Sequence, residues 1–380
     1  MEKHGVLFLT NSLPVGGFET HLLSLLQAID KERFRPVVGC LKGGGPLEPE
    51  FRAAGIPVYS HLQRGRMDLG GVLRVASIMR REKIRVLDTD AQRNTMLIGT
   101  LAAILMRVPV RIASVHATAR AGKSKIFVPA SRFCLRWTDR VVALADCHRD
   151  LILSQEEGLD PHKVTVLWNG VDTTKFYPGT PPAGLAESLG IHPGTPVIMI
   201  VASLLPDKGH KVFLEAAALV LQEQEDAVFL VAGEGPEREG LETTASRMGI
   251  GESVRFLGRR RDLHELLHLT DINALTSYPF RETFPISVLE AMACGKPTVA
   301  TRVGALPDMI MEGETGFIRE VGDAEGIAKA ITQLLDDRES LLRMGNAARQ
   351  RVEKMFSISR TAARREDLYT QLLDRTDHRG

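Results

Sequence analysis

Pro196-Val-Ile-Met-Ile-Val-Ala-Ser-Leu-Leu-Pro-Asp-Lys-Gly-His210 reads as a strand, a loop and the entry to a helix. Pro196–Leu204 is almost continuously apolar, which suits a strand covered on both faces rather than one with a wet side. Leu205–Gly209 brings the turn formers Pro, Asp and Gly, and His210–Gln222 carries apolar residues at helical spacing. The same order opens the chain. Val6–Thr10 is an apolar strand, Asn11–Gly17 a loop with Pro14 and two glycines, and Phe18–Ile29 a helix with Leu22, Leu23, Leu26 and Ile29 on one face.

Outward from these two starts, strand-like runs recur at Pro36–Cys40, Arg85–Thr89, Val110–Val115 and Arg140–Leu144. A second series follows at Ala227–Ala232, Ser253–Leu257, Asp271–Thr276 and Pro297–Thr301, with helical stretches between. Alternating strands and helices imply parallel sheets covered on both faces, so the fold class is α/β. The pattern changes around Lys163–Pro178 and is followed by a Pro-, Gly- and Thr-rich segment. The expected domains are therefore 1–175 and 176–357, both Rossmann-like and each able to hold one reactant, with a C-terminal helix at about 358–376 expected to pack back onto the first. Two doubly wound domains facing across a cleft would bring both sets of strand-end loops to one place, which suits a two-substrate reaction.

Composition narrows the class. With 44% hydrophobic and 25% charged residues, the 380-residue chain has the balance of an ordinary globular protein. Its longest apolar or small stretch, Met96–Met106, is too short to span a bilayer, and no secretory leader pattern opens the sequence, which suggests a cytoplasmic protein. Cys40, Cys134, Cys147 and Cys294 are scattered without metal-ligand spacing. The net charge of +1 conceals a basic segment, residues 61–140, with 16 Lys and Arg against five Asp and Glu. Aromatics are sparse and no nucleic-acid-binding motif accompanies that charge, so nucleic acid is not expected as a partner. Within it, Lys123–Arg140 interleaves basic residues with Ile126, Phe127, Val128, Phe133, Leu135 and Trp137. Such a segment suits either peripheral contact with an anionic membrane or a core-facing helix with a solvated basic face.

The most informative stretch is Glu282-Thr-Phe-Pro-Ile-Ser-Val-Leu-Glu290-Ala-Met-Ala-Cys-Gly-Lys-Pro297. Pro285 suits the first turn of a helix and Gly295 its end. The free N–H groups at its start, including those of Phe284 and Ile286, form a site for a diphosphate, with Glu282 and Glu290 on either side. The plainer reading makes both glutamates surface carboxylates near a helix start.

This block resembles the E-x7-E signature of family 4 retaining glycosyltransferases, the "group 1" type, which have the GT-B fold. The resemblance extends to Gly16-Gly17-Phe18-Glu19, Asn169-Gly170-Val171-Asp172, Lys208-Gly209 and Gly233-Glu234-Gly235-Pro236, while Val303-Gly304 and Asp308 fall where the family usually has a glycine pair and a glutamate. It implies transfer of a hexosyl-type sugar from a nucleotide-diphosphate sugar to a glycan or lipid-linked acceptor, with retention and with no metal or other cofactor. By that resemblance Glu290 binds the donor ribose, Glu282 the hydroxyls of the transferred sugar, and Lys208 the diphosphate. Gly16 and Gly17 allow close backbone approach to the donor phosphates or the acceptor, and Gly233 is among the donor-binding residues. Arg259 lies where the family usually places backbone contacts to the base, and His116 is the cleft histidine beside the sugar. The catalytic set is thus His116, Glu282 and Lys208. A nucleotide-sugar epimerase of the same fold, and a non-catalytic sugar-nucleotide-binding protein, are the alternatives.

The sequence departs from the family at Ala202-Ser203-Leu204, where an arginine beside the diphosphate is usual. Ser203 brings one hydrogen bond and no charge, so Arg259, Arg260, Arg281 and Arg302 are candidates to replace the missing cation. Asp88-Thr-Asp90 spells a metal-binding DxD, but its place at the end of a first-domain strand suggests a structural role. The Ser203→Arg variant is expected to bind donor at least as tightly as wild type by calorimetry. Markedly weaker binding would show that this loop lies elsewhere.

Overall fold

A computed structural model describes residues 3–65, 68, 70–116, 128–156, 159–279 and 282–378. The chain divides into two compact units, Met1–Gly170 with Ile358–Gly380, and Val171–Ser357. In the first, strands β1 (His4–Thr10), β2 (Phe34–Cys40), β3 (Val58–Tyr59), β4 (Ile84–Thr89), β5 (Val110–Ser114), β6 (Arg140–Ala143) and β7 (Val164–Val166) form one sheet in the order β3-β2-β1-β4-β5-β6-β7. In the second, β8 (Val197–Val201), β9 (Val228–Ala232), β10 (Val254–Gly258), β11 (Ile272–Leu275), β12 (Thr298–Thr301) and β13 (Gly316–Arg319) form another, in the order β10-β9-β8-β11-β12-β13. The strand pairs are parallel throughout both sheets.

Five helices bear on the site and its support: α1 (Gly17–Ala28), α2 (Val128–Trp137), α3 (His210–Val220), α4 (Ile286–Ala293) and α5 (Ile358–Asp377). Leu22, Leu25 and Leu26 of α1 share a buried cluster with Val6 and Phe8 of β1 and with Ala362, Leu368, Tyr369 and Leu372 of α5. The last helix thus completes the first unit's core. It also carries a charge into that core. Arg365 donates to Asp88 Oδ2 and, at 3.1 Å, to Ser114 Oγ, while the Tyr369 hydroxyl donates to the same Asp88 oxygen at 2.9 Å. Ser114 Oγ donates to Asp88 Oδ1 at 2.7 Å, so both carboxylate oxygens are satisfied. At Asp90, Thr10 Oγ1 donates to Oδ2 at 2.9 Å and the Gln92 N–H to Oδ1 at 3.1 Å. The DxD carboxylates therefore face hydroxyl, amide and guanidinium donors.

The domain boundary falls five residues before the expected 175, between Gly170 and Val171. Gly170 N–H donates to His21 Nε2 in the first unit, whereas Val171 N–H donates to the Phe356 carbonyl and Val171 bridges to Ser357 in the second. Three strands escape the sequence pattern. β3 spans only two residues, β7 lies inside the stretch read as a boundary, and β13 opens on Gly316 amid turn-forming residues. Pro285 is the cap of α4 (φ −70°, ψ 115°), one position ahead of the first turn assigned from sequence. Its ψ is extended, so the helical turn begins only at Ile286.

Replacing Arg365 by Met should lower unfolding stability by about 3–5 kcal/mol, because it strands a buried carboxylate. Urea denaturation checks this, and a loss under about 1 kcal/mol would mean the apolar cluster alone holds α5.

Candidate functional site

Both sheets reverse their strand order, between β1 and β4 in the first unit and between β8 and β11 in the second. At such a switch point the loops after the two strands diverge and leave a crevice at their carboxyl ends. In the second unit these loops are 202–209 after β8 and 276–282 after β11. They touch at Gly209, whose φ is +67° and where a Cβ would lie 1.9 Å from the Thr276 carbonyl oxygen. Any side chain there forces the loops apart. Thr276 Oγ1 donates to the Gly209 carbonyl at 2.9 Å, and Tyr278 N–H to the Asp207 carbonyl at 2.8 Å.

This crossing brings Lys208 and Glu282 together. Lys208 Nζ lies 2.8 Å from Glu282 Oε2, and Ser277 Oγ donates to the same oxygen at 2.9 Å. Glu282 is buried, and Gly304 in the loop after β12 supports it from behind. With φ +50°, Gly304 packs so closely that a Cβ would stand 2.4 Å from the Glu282 carbonyl oxygen. Neither contact is visible in the spacing of the sequence. Ser277 and Thr276 were both missed there, since they precede the glutamate pattern and carry no charge.

Just beyond Glu282, α4 starts. The N–H groups of Phe284, Ile286 and Ser287 have no acceptor among the described residues, so the partial positive charge of the helix start is available to an anion. The Phe284 ring packs edge-on against Phe356 at 5.8 Å, so its side chain anchors the turn while its N–H faces the helix entry. Glu290 lies in the second turn. Burial pushes its carboxyl up to about 7, opposed by the charge of Lys175. A group so placed changes ionisation near neutral pH.

The loops after β8, β9 and β10 form the other end. Gly233 N–H donates to the Gly258 carbonyl at 2.9 Å, and a Cβ on Gly233 would stand 1.9 Å from the Ala202 carbonyl oxygen. Leu204 N–H donates to the Glu234 carbonyl at 2.9 Å, and Arg259 Nε lies 3.6 Å from Glu234 Oε2. Ser203 is exposed beside this junction. Of the cations considered as replacements for the missing arginine, Arg260 pairs with Asp262 and Arg302 with Glu320. Arg281 lies outside the described residues. Among the described candidates, Arg259 is the one joined to the Ser203 loop, through Glu234.

In the first unit, Gly16 caps α1 in an extended conformation, and a Cβ on it would stand 2.6 Å from Glu19 Oε2. Gly17 is the exposed first residue of that helix. Burial pushes Glu19 up to about 7. His116 follows β5, with its ring 4.1 Å from that of Phe18. Burial, with Arg365 and His21 adding to it, holds the His116 imidazole well below its ordinary value, so it is neutral at physiological pH. Beside it, Thr10, His21, Asp88, Asp90, His116 and Arg365 line a cavity of about 20 Å³. That is room for roughly one water and no substrate. Among the described residues no group of three or more His, Cys, Asp or Glu is arranged to hold a metal ion.

Part of the basic segment is internally neutralised. Arg74 pairs with Asp68, Arg85 with Asp377 and Arg111 with Asp139. On α2, Phe133 and Trp137 are 40% and 42% exposed, each directly following an exposed arginine, Arg132 and Arg136. Lys123, Lys125, Ile126 and Phe127 of the interleaved stretch lie outside the described residues.

Residues 185–351 match the family described as Glycosyl transferases group 1, and residues 15–175 match Glycosyltransferase Family 4. The N-acetyl-alpha-D-glucosaminyl L-malate synthase of Bacillus anthracis is 28% identical over 334 residues, 87% of this chain and 86% of that protein. The UDP-Gal:alpha-D-GlcNAc-diphosphoundecaprenol alpha-1,3-galactosyltransferase of Escherichia coli is 25% identical over 372 residues, 94% and 95% of the two chains. Among solved structures, Anabaena Alr3699/HepE in complex with UDP-glucose aligns with a TM-score of 0.84 at 22% identity, covering 97% of this chain and 99% of that one. At that identity the likeness is one of fold.

Burial of Glu290 has a stability consequence. Its folded value of about 7 lies above its ordinary 4.5, so its contribution is full below 4.5, falls as pH rises towards 7, and is flat above. Glu290→Gln removes that titration. Its melting temperature relative to wild type should climb between about pH 4.5 and 7 and then level off. A difference independent of pH would show that Glu290 is not held in that environment.

Proposed function

The chain belongs to the group 1 glycosyltransferases and has their GT-B fold, and on that premise we propose that it moves a hexosyl-type sugar from a nucleotide-diphosphate sugar to a glycan or lipid-linked acceptor, with retention of configuration and without a metal ion. The observation that carries the donor reading is the α4 entry. Three N–H groups without partners among the described residues stand beside the Lys208–Glu282 pair, whose glutamate is buried and lysine partly so, at the carboxyl ends of the central strands of the sheet. That arrangement suits a diphosphate with a sugar on one side and a ribose on the other.

In this reading the N–H groups of Phe284 and Ile286 and the Lys208 ammonium take the diphosphate. As the sugar departs, charge grows on the leaving phosphate, and preorganised donors stabilise it. Glu282 accepts hydrogen bonds from the transferred sugar and Glu290 from the ribose. Gly233 and Arg259 lie at the base end. Ser203 supplies one hydrogen bond to the phosphates, and Arg259 supplies the charge that Ser203 lacks. Gly16 and Gly17 give backbone access at the start of α1. His116, being neutral, serves as a hydrogen-bonding partner of the sugar and carries no charge to it.

The acceptor reading draws on the relatives, whose printed names differ. One joins a sugar to L-malate, and the other extends a diphosphoundecaprenol-linked sugar. A lipid-linked acceptor fits the exposed Phe133 and Trp137 on a basic helix, which suit peripheral contact with an anionic membrane from the cytoplasmic side. No helix among the described residues is long and apolar enough to cross a membrane. A small acidic acceptor is the second reading, favoured by the malate-directed relative. Nucleic acid has no place in either.

Thermal shift against a panel of nucleotide-sugars tests the donor. One of them, at about 100 times its Kd, should stabilise wild type by about 2.7 kcal/mol and leave Glu290→Ala much less affected. Label transfer to an added acceptor should then persist in EDTA. Loss of transfer in EDTA would sink the metal-free mechanism, and an epimerised donor without acceptor would sink the transferase reading.

A further inference from the structure

We propose that Ser277 is the positioning residue for Glu282, and that it determines how strongly the site reads the transferred sugar. The proposal rests on the reading of Glu282 as the sugar-binding carboxylate.

Ser277 follows β11 by two residues and is wholly buried. Its hydroxyl donates to Glu282 Oε2 at 2.9 Å, and its own carbonyl accepts from Thr301 Oγ1 at 2.6 Å. Thr301, the last residue of β12, is equally buried. The chain Thr301–Ser277–Glu282 therefore ties the carboxylate to the ends of two neighbouring strands. A carboxylate oxygen offers about two lone pairs. With Ser277 and Lys208 both on Oε2, that oxygen is saturated. Oε1 has no partner among the described residues, and is left as the acceptor presented to a hydroxyl group.

Ser277 and Lys208 differ in what else they must do. In the donor-bound state the Lys208 ammonium is shared with the diphosphate, whose charge exceeds that of one carboxylate. Ser277 faces no second anion. As Lys208 is drawn to the phosphates, Ser277 keeps Oε2 in place, so the direction of Oε1 is retained when the sugar is being held. Without that hydroxyl the carboxylate turns freely towards its remaining donor, and the geometry of the sugar contact is lost.

The test compares the gain in affinity that the sugar provides, using UDP, UDP-glucose, UDP-galactose and UDP-N-acetylglucosamine as probes with wild type, Ser277→Ala, Glu282→Ala and the double variant. Ser277→Ala should bind UDP within about twofold of wild type and lose about tenfold in affinity for the preferred UDP-sugar, the scale of one hydrogen bond to a charged group. Because Ser277 acts through Glu282, the double variant should bind the UDP-sugars no more weakly than Glu282→Ala alone. Equal losses for UDP and UDP-sugar in Ser277→Ala would mean a purely structural role and overturn the proposal. So would additive losses in the double variant. If Glu282→Ala leaves the sugar gain intact, or if wild type gains nothing from any of the three sugars, the reading of Glu282 fails and the proposal falls with it. If only Ser277→Ala leaves the gain intact, the proposal alone fails. Should Ser277→Ala not fold, Ser277→Cys, of similar volume and weak as a donor, is expected to show the same selective loss.

Discussion

At Gly209 the loops after β8 and β11 approach so closely that no side chain fits between them, and the candidate donor site exists because of that approach. It places a lysine from one loop against a glutamate from the other, 74 residues apart in the chain. A buried ion pair gains little net stability, since desolvation offsets most of the attraction. Its use is geometric. The two charges neutralise each other, and in the proposed reading each takes a distinct chemical partner when a phosphorylated sugar enters.

The first unit uses buried charge for a different end. Asp88 lies at the carboxyl end of β4, whereas Glu282 lies in the loop ahead of α4, and Arg365, Tyr369 and Ser114 leave neither Asp88 oxygen unoccupied. The result is a lock between the sheet and the last helix, which returns from the second unit to finish the first unit's core. A buried carboxylate thus serves adhesion in the first unit and, in the proposed reading, recognition in the second. What separates them is whether an acceptor is left over. Both Asp88 oxygens are engaged, whereas Glu282 Oε1 has no partner among the described residues.

Long apolar runs were legible in the sequence because burial on both faces leaves no alternation to confuse. Val197–Val201 and Val228–Ala232 are such cases: the second is within a residue of its expected bounds, and the first ends three residues before the expected Leu204. Val58–Tyr59 and Gly316–Arg319 were not, since two residues carry no period and a glycine amid turn formers points the wrong way. The spacing of Glu282 and Glu290 about a helix start was legible too, and so was the unusual Ser203. The support of Glu282 was not. Ser277 and Thr301 are ordinary polar residues at strand ends, 24 apart, and nothing in their neighbours marks them.

By itself the sequence determined most of the strands and helices, that they alternate, and which charged and glycine residues stand at their junctions. These depend on local periodicity and on backbone freedom, which neighbouring residues carry with them. The tertiary structure alone decided that Ser277 and Lys208 hold one oxygen of Glu282, that Arg365 closes off Asp88, and that the boundary falls at Gly170. Each depends on strand order and register. Parallel register is set by packing between segments far apart in the chain, so no local pattern records which strand ends will meet.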